Sequence, residues 1–225
     1  MATLKFLLFS LVTSAILQGT YAVLFKVTNN ATSTQGGVRF TDEIGVQYST
    51  RSLKFATAIV WMLLGQLRPA ERKKVEQVSL FIDVMDGVAY ESDDEIHVSA
   101  NYIGNYSRDV KREFTGILVH ETAHVWQWNG NGQTPGGLIE GIADFIRLKA
   151  GYAPPHWVRA GQGDKWDQGY DITAWFLNYC DSLSRGFVAK LDRKMRSSYN
   201  SDYFVELLGK NVDQLWTDYK AKYNT

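Results

Sequence analysis

The segment His120-Glu121-Thr122-Ala123-His124 constrains this chain more than any other, because its two imidazoles fall four residues apart within a helical pattern. Apolar residues recur at helical spacing from Val110 to Val125. Side chains four residues apart lie on one face of a helix, so both imidazoles can reach a single ion. Glu121 is then placed to polarise a water molecule at that ion. The motif predicts a metal site carried by a helix over 109–128.

A catalytic zinc site needs a third protein ligand. Asn, Gly and Pro residues dominate 129–137, which predicts a turn followed by a second helix over 138–150. Glu140 lies in the first turn of that helix, and Asp144 follows on the same face. In an antiparallel helix pair, Glu140 becomes the third ligand and Asp144 accepts a hydrogen bond from a ligating histidine. The alternative is that both carboxylates form a solvated acidic face.

The longer pattern H-E-x-x-H-x-x-G-x-x-H, which supplies a histidine as third ligand, does not fit this chain. Gln127 stands where that pattern has Gly, and Gly130 stands where it has His. Sites of that class also have a downstream methionine turn, for which Met195 is the sole candidate. The sequence therefore excludes this alternative and leaves Glu140 as the predicted ligand.

Other side chains near the motif are candidates for the wall of a cleft. The oxyanion formed in amide hydrolysis needs a donor besides the metal, and Tyr170 and His156 are the candidates. A packing or surface role is the alternative for each of them. Trp126 and Trp128 follow the second histidine directly, and they either wall the cleft or pack in the core. His97, on a predicted strand, is expected to be structural or exposed.

The chain divides into a sheet-containing half and a helical half. Apolar and β-branched runs predict strands at 23–27, 78–84 and 88–90, and alternation predicts a half-exposed strand at 95–100. The predicted helices cover 44–67, 109–128, 138–150, 166–183, 187–195, 203–208 and 212–223. We expect an α+β fold in which an N-terminal mixed sheet with helices precedes a helical half. The strand at 95–100 is expected to be an exposed edge that pairs with an extended substrate.

The first 22 residues have the order of a secretory signal peptide. Lys5 precedes an apolar run over 6–17, and the small Ala22 ends the segment. The apolar run is too short to span a bilayer comfortably, and no later run approaches about 18 residues. We expect cleavage after Ala22 and a single domain over 23–225, outside the cell.

Composition limits the partners of such a protein. The 24 basic and 24 acidic residues give a net charge of zero, which argues against a nucleic-acid binder. Asn30 and Asn105 begin two N-glycosylation sequons. Cys180, the one cysteine, lies among apolar residues, which favours a buried and inert thiol. The expected partner is a peptide or protein substrate, with no nucleic acid and no membrane span, and the chain is expected to be a monomer.

The stretch HETAHVWQWNGNGQTPGGLIEGIADFIRLKAGYAPPHW, with LFIDVMDGVAYESDDEIHVSANYI before it and WDQGYDITAWFL after it, resembles the plant basic secretory protein family. The resemblance covers essentially the whole chain after the signal. It implies a secreted, extracellular or cell-wall protein of defence responses, with a zinc metallopeptidase domain of thermolysin-like, gluzincin type. The family pattern carries onto His120, Glu121, His124, Glu140 and Asp144. The 15 residues between His124 and Glu140 are fewer than thermolysin-like enzymes usually have.

Three functional hypotheses follow. The first is a secreted zinc peptidase in which Glu121 is the general base, and the absence of a G-x-M-E-N aminopeptidase motif favours an endopeptidase. The second is a non-catalytic extracellular defence protein that binds cell-wall carbohydrate or a microbial protein through its many aromatic side chains. The third is zinc-dependent hydrolysis of a non-peptide amide, which uses the same residues.

Overall fold

The computed structural model describes residues 22–223, so the predicted signal peptide lies outside the described residues except for Ala22. The strands are β1 (Leu24–Asn29), β2 (Gln77–Asp83), β3 (Ala89–Ser92) and β4 (Glu95–Ser99). The helices are α1 (Gln35–Arg39), α2 (Gly45–Leu63), α3 (Ala100–Asn105), α4 (Val110–Trp126), α5 (Gly136–Lys149), α6 (Tyr170–Leu183), α7 (Phe187–Lys194), α8 (Asp202–Leu208) and α9 (Val212–Lys222). A π-helical turn (Phe40–Ile44) joins α1 to α2, and a 3₁₀ turn (Pro69–Glu71) precedes β2.

The four strands form one mixed sheet with the order β1-β2-β4-β3. β1, β2 and β4 run parallel, and β3 is antiparallel to β4. The tight turn from β3 to β4 places Asp93 and Asp94 at φ values of 55° and 64°, a conformation that Asp tolerates in two-residue hairpins. The predicted α+β fold with a mixed sheet is confirmed.

The prediction that the strand at 95–100 is an exposed edge is wrong. β4 lies inside the sheet, paired with β2 on one side and with β3 on the other. The edge strand on this side of the sheet is β3, because the hairpin folds it back outside β4, and β1 forms the opposite edge. The alternating pattern at 95–100 indicates that one face of the strand is buried. It does not indicate whether the strand has one neighbour or two, so it cannot distinguish an inner strand from an edge strand.

Helices α2 and α4 pack against one another beside the sheet and form the core with it. Leu53, Ala56 and Val60 of α2 are fully buried, as their helical spacing predicts. Among the strands, Leu80 and Ile96 face the same core and are fully buried. The predicted helices from residue 107 onward are confirmed, except that the helix predicted to begin at Trp166 begins at Tyr170. Helices α5 to α9 build the second half of the molecule. A thermolysin-like core stays a prediction.

Several helix starts are fixed by local side-chain hydrogen bonds. Asp109 accepts a hydrogen bond from the backbone N–H of Arg112 and so caps α4. Ser99 caps α3 in the same way, through the N–H of Tyr102. Across residues 22–223, no helix combines the length and apolar character needed to cross a membrane.

Helices α5 and α6 approach closely because Gly141 has no side chain at their contact. A Cβ atom at this position would lie 2.2 Å from Cγ2 of Thr173. We expect Gly141→Ala to lower the free energy of unfolding by about 1–3 kcal/mol, the usual range for overpacking a core. Chemical denaturation measures this change.

Gly136→Ala is the matched control for that substitution. Gly136 begins the same helix, and a Cβ atom there meets no atom within 4 Å. The control is expected to leave stability nearly unchanged. Equal stability of both variants would show that α5 and α6 do not pack as closely as described.

The loop between α5 and α6 is held by the last helix of the fold. The backbone N–H of Gly161 donates to the hydroxyl of Tyr219 at 2.7 Å. Lys220 Nζ donates to the carbonyl oxygen of Gly163 at 2.8 Å. Tyr223, which follows α9, also packs against Gly161, where a Cβ atom would lie 2.7 Å from Cβ of Tyr223. Helix α9 thus fixes a long segment that has little regular structure of its own.

Candidate metal centre

Two antiparallel helices bring the predicted metal ligands together. The turn after α4 uses positive φ values at Gly130 (63°) and Asn131 (54°), and the chain then re-enters helix at Gly136. The backbone N–H of Gly130 also donates to the carbonyl oxygen of Met195, which anchors the turn on the end of α7. As a result, the start of α5 lies beside the last turns of α4.

His120, His124 and Glu140 form a compact group of three ligand atoms. Nε2 of His120 lies 3.1 Å from Nε2 of His124 and 3.2 Å from Oε2 of Glu140. Nε2 of His124 lies 3.6 Å from the same oxygen. In a tetrahedral zinc site with bonds of about 2.0–2.2 Å, ligand atoms are about 3.3–3.5 Å apart. The spacing and the N₂O donor set therefore fit a zinc ion, and these residues could hold a metal.

Each imidazole is oriented by a partner on its other ring nitrogen. Nδ1 of His120 lies 2.7 Å from Oδ1 of Asp144, whose side chain is buried. Nδ1 of His124 lies 2.8 Å from the side-chain amide of Gln127, which also reaches the carbonyl oxygen of Ile139. Such contacts fix the ring so that Nε2 faces the group of three. The sequence predicts the contact of Asp144.

The H-E-x-x-H pattern does not mark Gln127 as a partner of His124. The available signal is its position three residues after His124, where helix geometry brings the two side chains together. Its carbonyl Oε1 is buried and has no hydrogen-bond partner within residues 22–223. The amide nitrogen is the atom that contacts both His124 and Ile139.

Burial and close charges shift the pKa values of this group. Burial lowers the pKa of His120, but the hydrogen bonds that its ring donates to Asp144 and Glu140 outweigh burial and raise the pKa to about 10. For Glu140, burial raises the pKa, and the hydrogen bonds of the two histidines outweigh it and lower the pKa to about 2. Glu140 is thus a carboxylate at neutral pH. The carboxylates around His120 favour positive charge at that ring.

Glu121 is buried beside the histidines and lines the same cleft. Burial raises its pKa, and the nearby histidines act in the opposite direction. A carboxylate with a raised pKa is a stronger base than a solvated one. The position and the environment of Glu121 suit proton transfer.

A cleft of about 580 Å³ opens over the group of three. It is walled by β3, by α4 and α5, and by the loop that leads into α6. Tyr170 and His156, the two candidate oxyanion donors, both line it. The ring of Tyr170 lies parallel to the ring of His120, with centroids 6.2 Å apart. Glu140, and then burial, raise the pKa of the Tyr170 hydroxyl, which therefore stays protonated and able to donate.

Tyr170 has a backbone conformation that is rare for a bulky residue. Its φ is +45°, it follows Gly169 at φ 102°, and its side chain is 57% exposed. A non-glycine residue in this region costs about 1–3 kcal/mol and is concentrated at functional sites. The strain holds the ring over the cleft at the first residue of α6.

Most of the other predicted side chains lie away from the cleft lining. Trp126 is buried and packs edge-to-face on Trp61 with centroids 5.0 Å apart, so the core position is the correct alternative. Trp128 packs against the core, with Arg196 over its ring. Cys180 is buried as predicted, and burial raises the pKa of its thiol.

His97 and the two sequon asparagines lie on the outer parts of the fold. The ring of His97 stacks between Phe81 and Tyr90, and its Nδ1 lies 2.6 Å from Oδ2 of Asp83. It is partly exposed and structural, as expected. Asn30 and Asn105 are both exposed.

Comparison with known proteins gives one family and one relative. The BSP family model, described as "Peptidase of plants and bacteria", matches residues 20–219. A protein of Boswellia serrata named "Basic secretory protease" is 44% identical over 59 residues, which are 26% of this chain and 67% of that protein. No solved structure matches the chain.

Proposed function

The chain belongs to the BSP family of peptidases of plants and bacteria, and on this premise we propose that it is a secreted, zinc-dependent peptidase. The observation that carries the proposal is the group formed by His120, His124 and Glu140, whose ligand atoms all lie within 4.8 Å of one another. These residues would hold the ion. When bound, zinc supplies a Lewis acid that polarises a water molecule and the scissile carbonyl.

Glu121 is the proposed general base. Its carboxylate takes a proton from the attacking water and passes it to the nitrogen of the leaving amine. Asp144 keeps the Nδ1 proton of His120 in place, so that Nε2 of this ring stays available as a ligand. Gln127 contacts Nδ1 of His124 from the end of α4. For His124 to bind a metal through Nε2, its Nδ1 has to carry the proton, and the side-chain oxygen of Gln127 has to accept it.

β3 is the proposed platform for an extended substrate. Ala89 and Tyr90 of this edge strand line the cleft. The backbone N–H and C=O of Ala89 face away from β4, because the hydrogen-bonded pairs with β4 are formed by its neighbours Val88 and Tyr90. A peptide that pairs with this edge gains main-chain hydrogen bonds without selecting side chains. We therefore assign the pairing with an extended substrate to β3 instead of β4. This mode of substrate binding favours an endopeptidase.

Tyr170 is the proposed donor to the oxyanion, with His156 as the second candidate. We expect Tyr170→Phe to lower kcat about 10²-fold, because a single oxyanion donor is worth that much. KM and thermal stability are expected to change little, since the ring and its backbone conformation are retained. Steady-state kinetics and thermal melts on the same preparation measure both.

Tyr223→Phe is the control for Tyr170→Phe, because the Tyr223 hydroxyl makes no hydrogen bond within residues 22–223 and lies outside the cleft lining. An unchanged kcat in Tyr170→Phe would remove Tyr170 from the mechanism. His156→Gln would then be the next variant to test.

The proposed location is outside the cell, as a monomeric single domain over 23–225. Support comes from the signal-like residues 1–22 and from the word "secretory" in the name of the relative. The exposed positions of Asn30 and Asn105 are compatible with glycans at both sequons. A role in defence is the expectation that the family resemblance adds.

The proposal is tested by digestion of a peptide library with and without 1,10-phenanthroline, followed by mass spectrometry. Cleavage that chelation stops and zinc restores supports a zinc peptidase, and the cleavage positions separate endopeptidase from exopeptidase action. A protein that lacks zinc in elemental analysis and cleaves nothing contradicts it. That result favours the alternative of a non-catalytic binding protein.

A further inference from the structure

A buried ion pair lies in the cleft on the side away from His124. Nη2 of Arg147 is 3.0 Å from Oε1 of Glu113, and both side chains line the cleft. Arg147 follows Glu140 by seven residues on α5, and Glu113 precedes His120 by seven residues on α4. Seven residues of helix rise about 10 Å. The pair therefore lies about 10 Å along both helices from the proposed zinc ligands.

The guanidinium of Arg147 is held rigidly. Its Nε donates to the carbonyl oxygen of Tyr152 at 3.1 Å, and its Cζ atom lies 5.9 Å from the ring centre of Trp157. Gly116 of α4 lies against the guanidinium, and a Cβ atom at this position would lie 2.9 Å from Nε of Arg147. A glycine inside a helix is unfavourable relative to alanine, so the space for the guanidinium has a cost in stability.

The carboxylate of Glu113 is saturated by donors from the protein. It accepts hydrogen bonds from Arg147, from the hydroxyl of Tyr102 at 3.1 Å and from the hydroxyl of Tyr106 at 3.3 Å. Its charge is therefore shared among three donors. The carboxylate of Glu113 therefore does not need the Nη1 side of the Arg147 guanidinium as a further donor.

Nη1 of Arg147 is the nitrogen that the protein does not use. Arg147 is only 9% exposed, yet Nη1 has no acceptor within residues 22–223 and is not among the enclosed orphan atoms. It is thus an accessible donor on a buried, fixed side chain in the wall of the cleft. Neither proton transfer by Glu121 nor oxyanion binding by Tyr170 uses it.

We propose that Nη1 of Arg147 binds a carboxylate of the substrate, in a pocket that Ile117 and Trp157 complete. A carboxylate is the strongest acceptor for a guanidinium among peptide groups. An extended peptide advances about 3.3 Å per residue, so about 10 Å corresponds to three residues. The carboxylate is the chain end of a three-residue product or an acidic side chain at that distance. This inference rests on the proposed peptidase function.

Three tripeptides test the proposal and distinguish the two sources. Ala-Ala-Ala with a free carboxyl end, Ala-Ala-Ala amide and Ala-Ala-Glu amide are compared as ligands of the zinc-loaded full chain by isothermal titration calorimetry. We expect the free acid to bind about 10- to 100-fold more tightly than its amide, as for a hydrogen bond between charged groups. Tight binding of only Ala-Ala-Glu amide assigns the site to a side chain. Equal affinities of all three overturn the proposal.

Binding is measured without turnover, so the outcome is separate from that of the proposed function. A chain that discriminates acid from amide but cleaves no peptide keeps the carboxylate site and contradicts the peptidase. A chain that cleaves peptides but binds acid and amide with equal affinity supports the peptidase and contradicts the carboxylate site.

The variant test uses a double substitution, because Arg147→Met alone would leave Glu113 buried without its counter-ion. Arg147→Met with Glu113→Gln is expected to bind zinc normally and to lose discrimination between acid and amide. Arg185→Met, at an exposed position, is the control and is expected to keep the discrimination between acid and amide. Full discrimination in the double variant would overturn the role of Arg147.

Discussion

Glu121→Gln is expected to abolish measurable peptide hydrolysis while the chain keeps its zinc. A positioned general base contributes about 10²–10⁴-fold, and glutamine cannot accept the proton of the attacking water. Glutamine has nearly the same volume, so the buried position of Glu121 tolerates it. Activity on a cleaved peptide, metal content by elemental analysis and a thermal melt together measure the effect.

Glu76→Gln is the matched control, because Glu76 is exposed and lies outside the cleft. It is expected to keep full activity, which shows that loss of one negative charge elsewhere is harmless. If Glu121→Gln cleaves as fast as the unmodified chain, Glu121 is not the base. If it also loses its zinc, the carboxylate is needed for the metal site itself.

Removal of zinc is expected to produce the second large effect, on activity and on stability together. Hydrolysis should fall to background in the metal-free chain. An ion that binds the native state alone adds about 4 kcal/mol to the free energy of unfolding at a thousandfold excess over Kd. Thermal melts over a series of zinc concentrations should show a midpoint that rises with each addition.

The control for metal removal is a chain that cannot complete the site. In His124→Ala, one of the three ligand atoms is missing, and the midpoint should no longer depend on zinc. Asp144→Asn should keep the dependence but with metal affinity about 10–100-fold weaker, since only the orientation of His120 is disturbed. A midpoint that zinc leaves unchanged in the unmodified chain would contradict a metal centre in this fold.

The helical half of the fold is the part that sequence periodicity predicts best. Apolar stripes extend over many turns in α4, α5 and α6, so the pattern is long enough to identify each helix. The five residues of α1 and the six of α3 are too short for a periodic signal. Sheet order is also outside the reach of local patterns, because pairing depends on contacts between distant strands. The misplaced edge strand has this origin.

The metal site is predictable because its residues lie in two neighbouring helices joined by a recognisable turn. Spacing alone brings His120, His124, Glu140 and Asp144 onto facing surfaces. Arg147 is also on that face, three residues after Asp144, but its partner Glu113 precedes the motif by seven residues. An isolated Arg and an isolated Glu have no pattern that marks them as a pair, so only the packed helices identify them.

The anchoring of the cleft loop by α9 has a practical consequence for anyone who produces this protein. The three proposed metal ligands lie within residues 120–140. Even so, Tyr219 and Lys220 fix the segment that carries His156 and leads to Tyr170. A purification tag fused directly after α9, or a nick by a contaminating protease within it, threatens the cleft from a distance. Preparations should therefore be checked for an intact α9 before a weak activity is attributed to the active site.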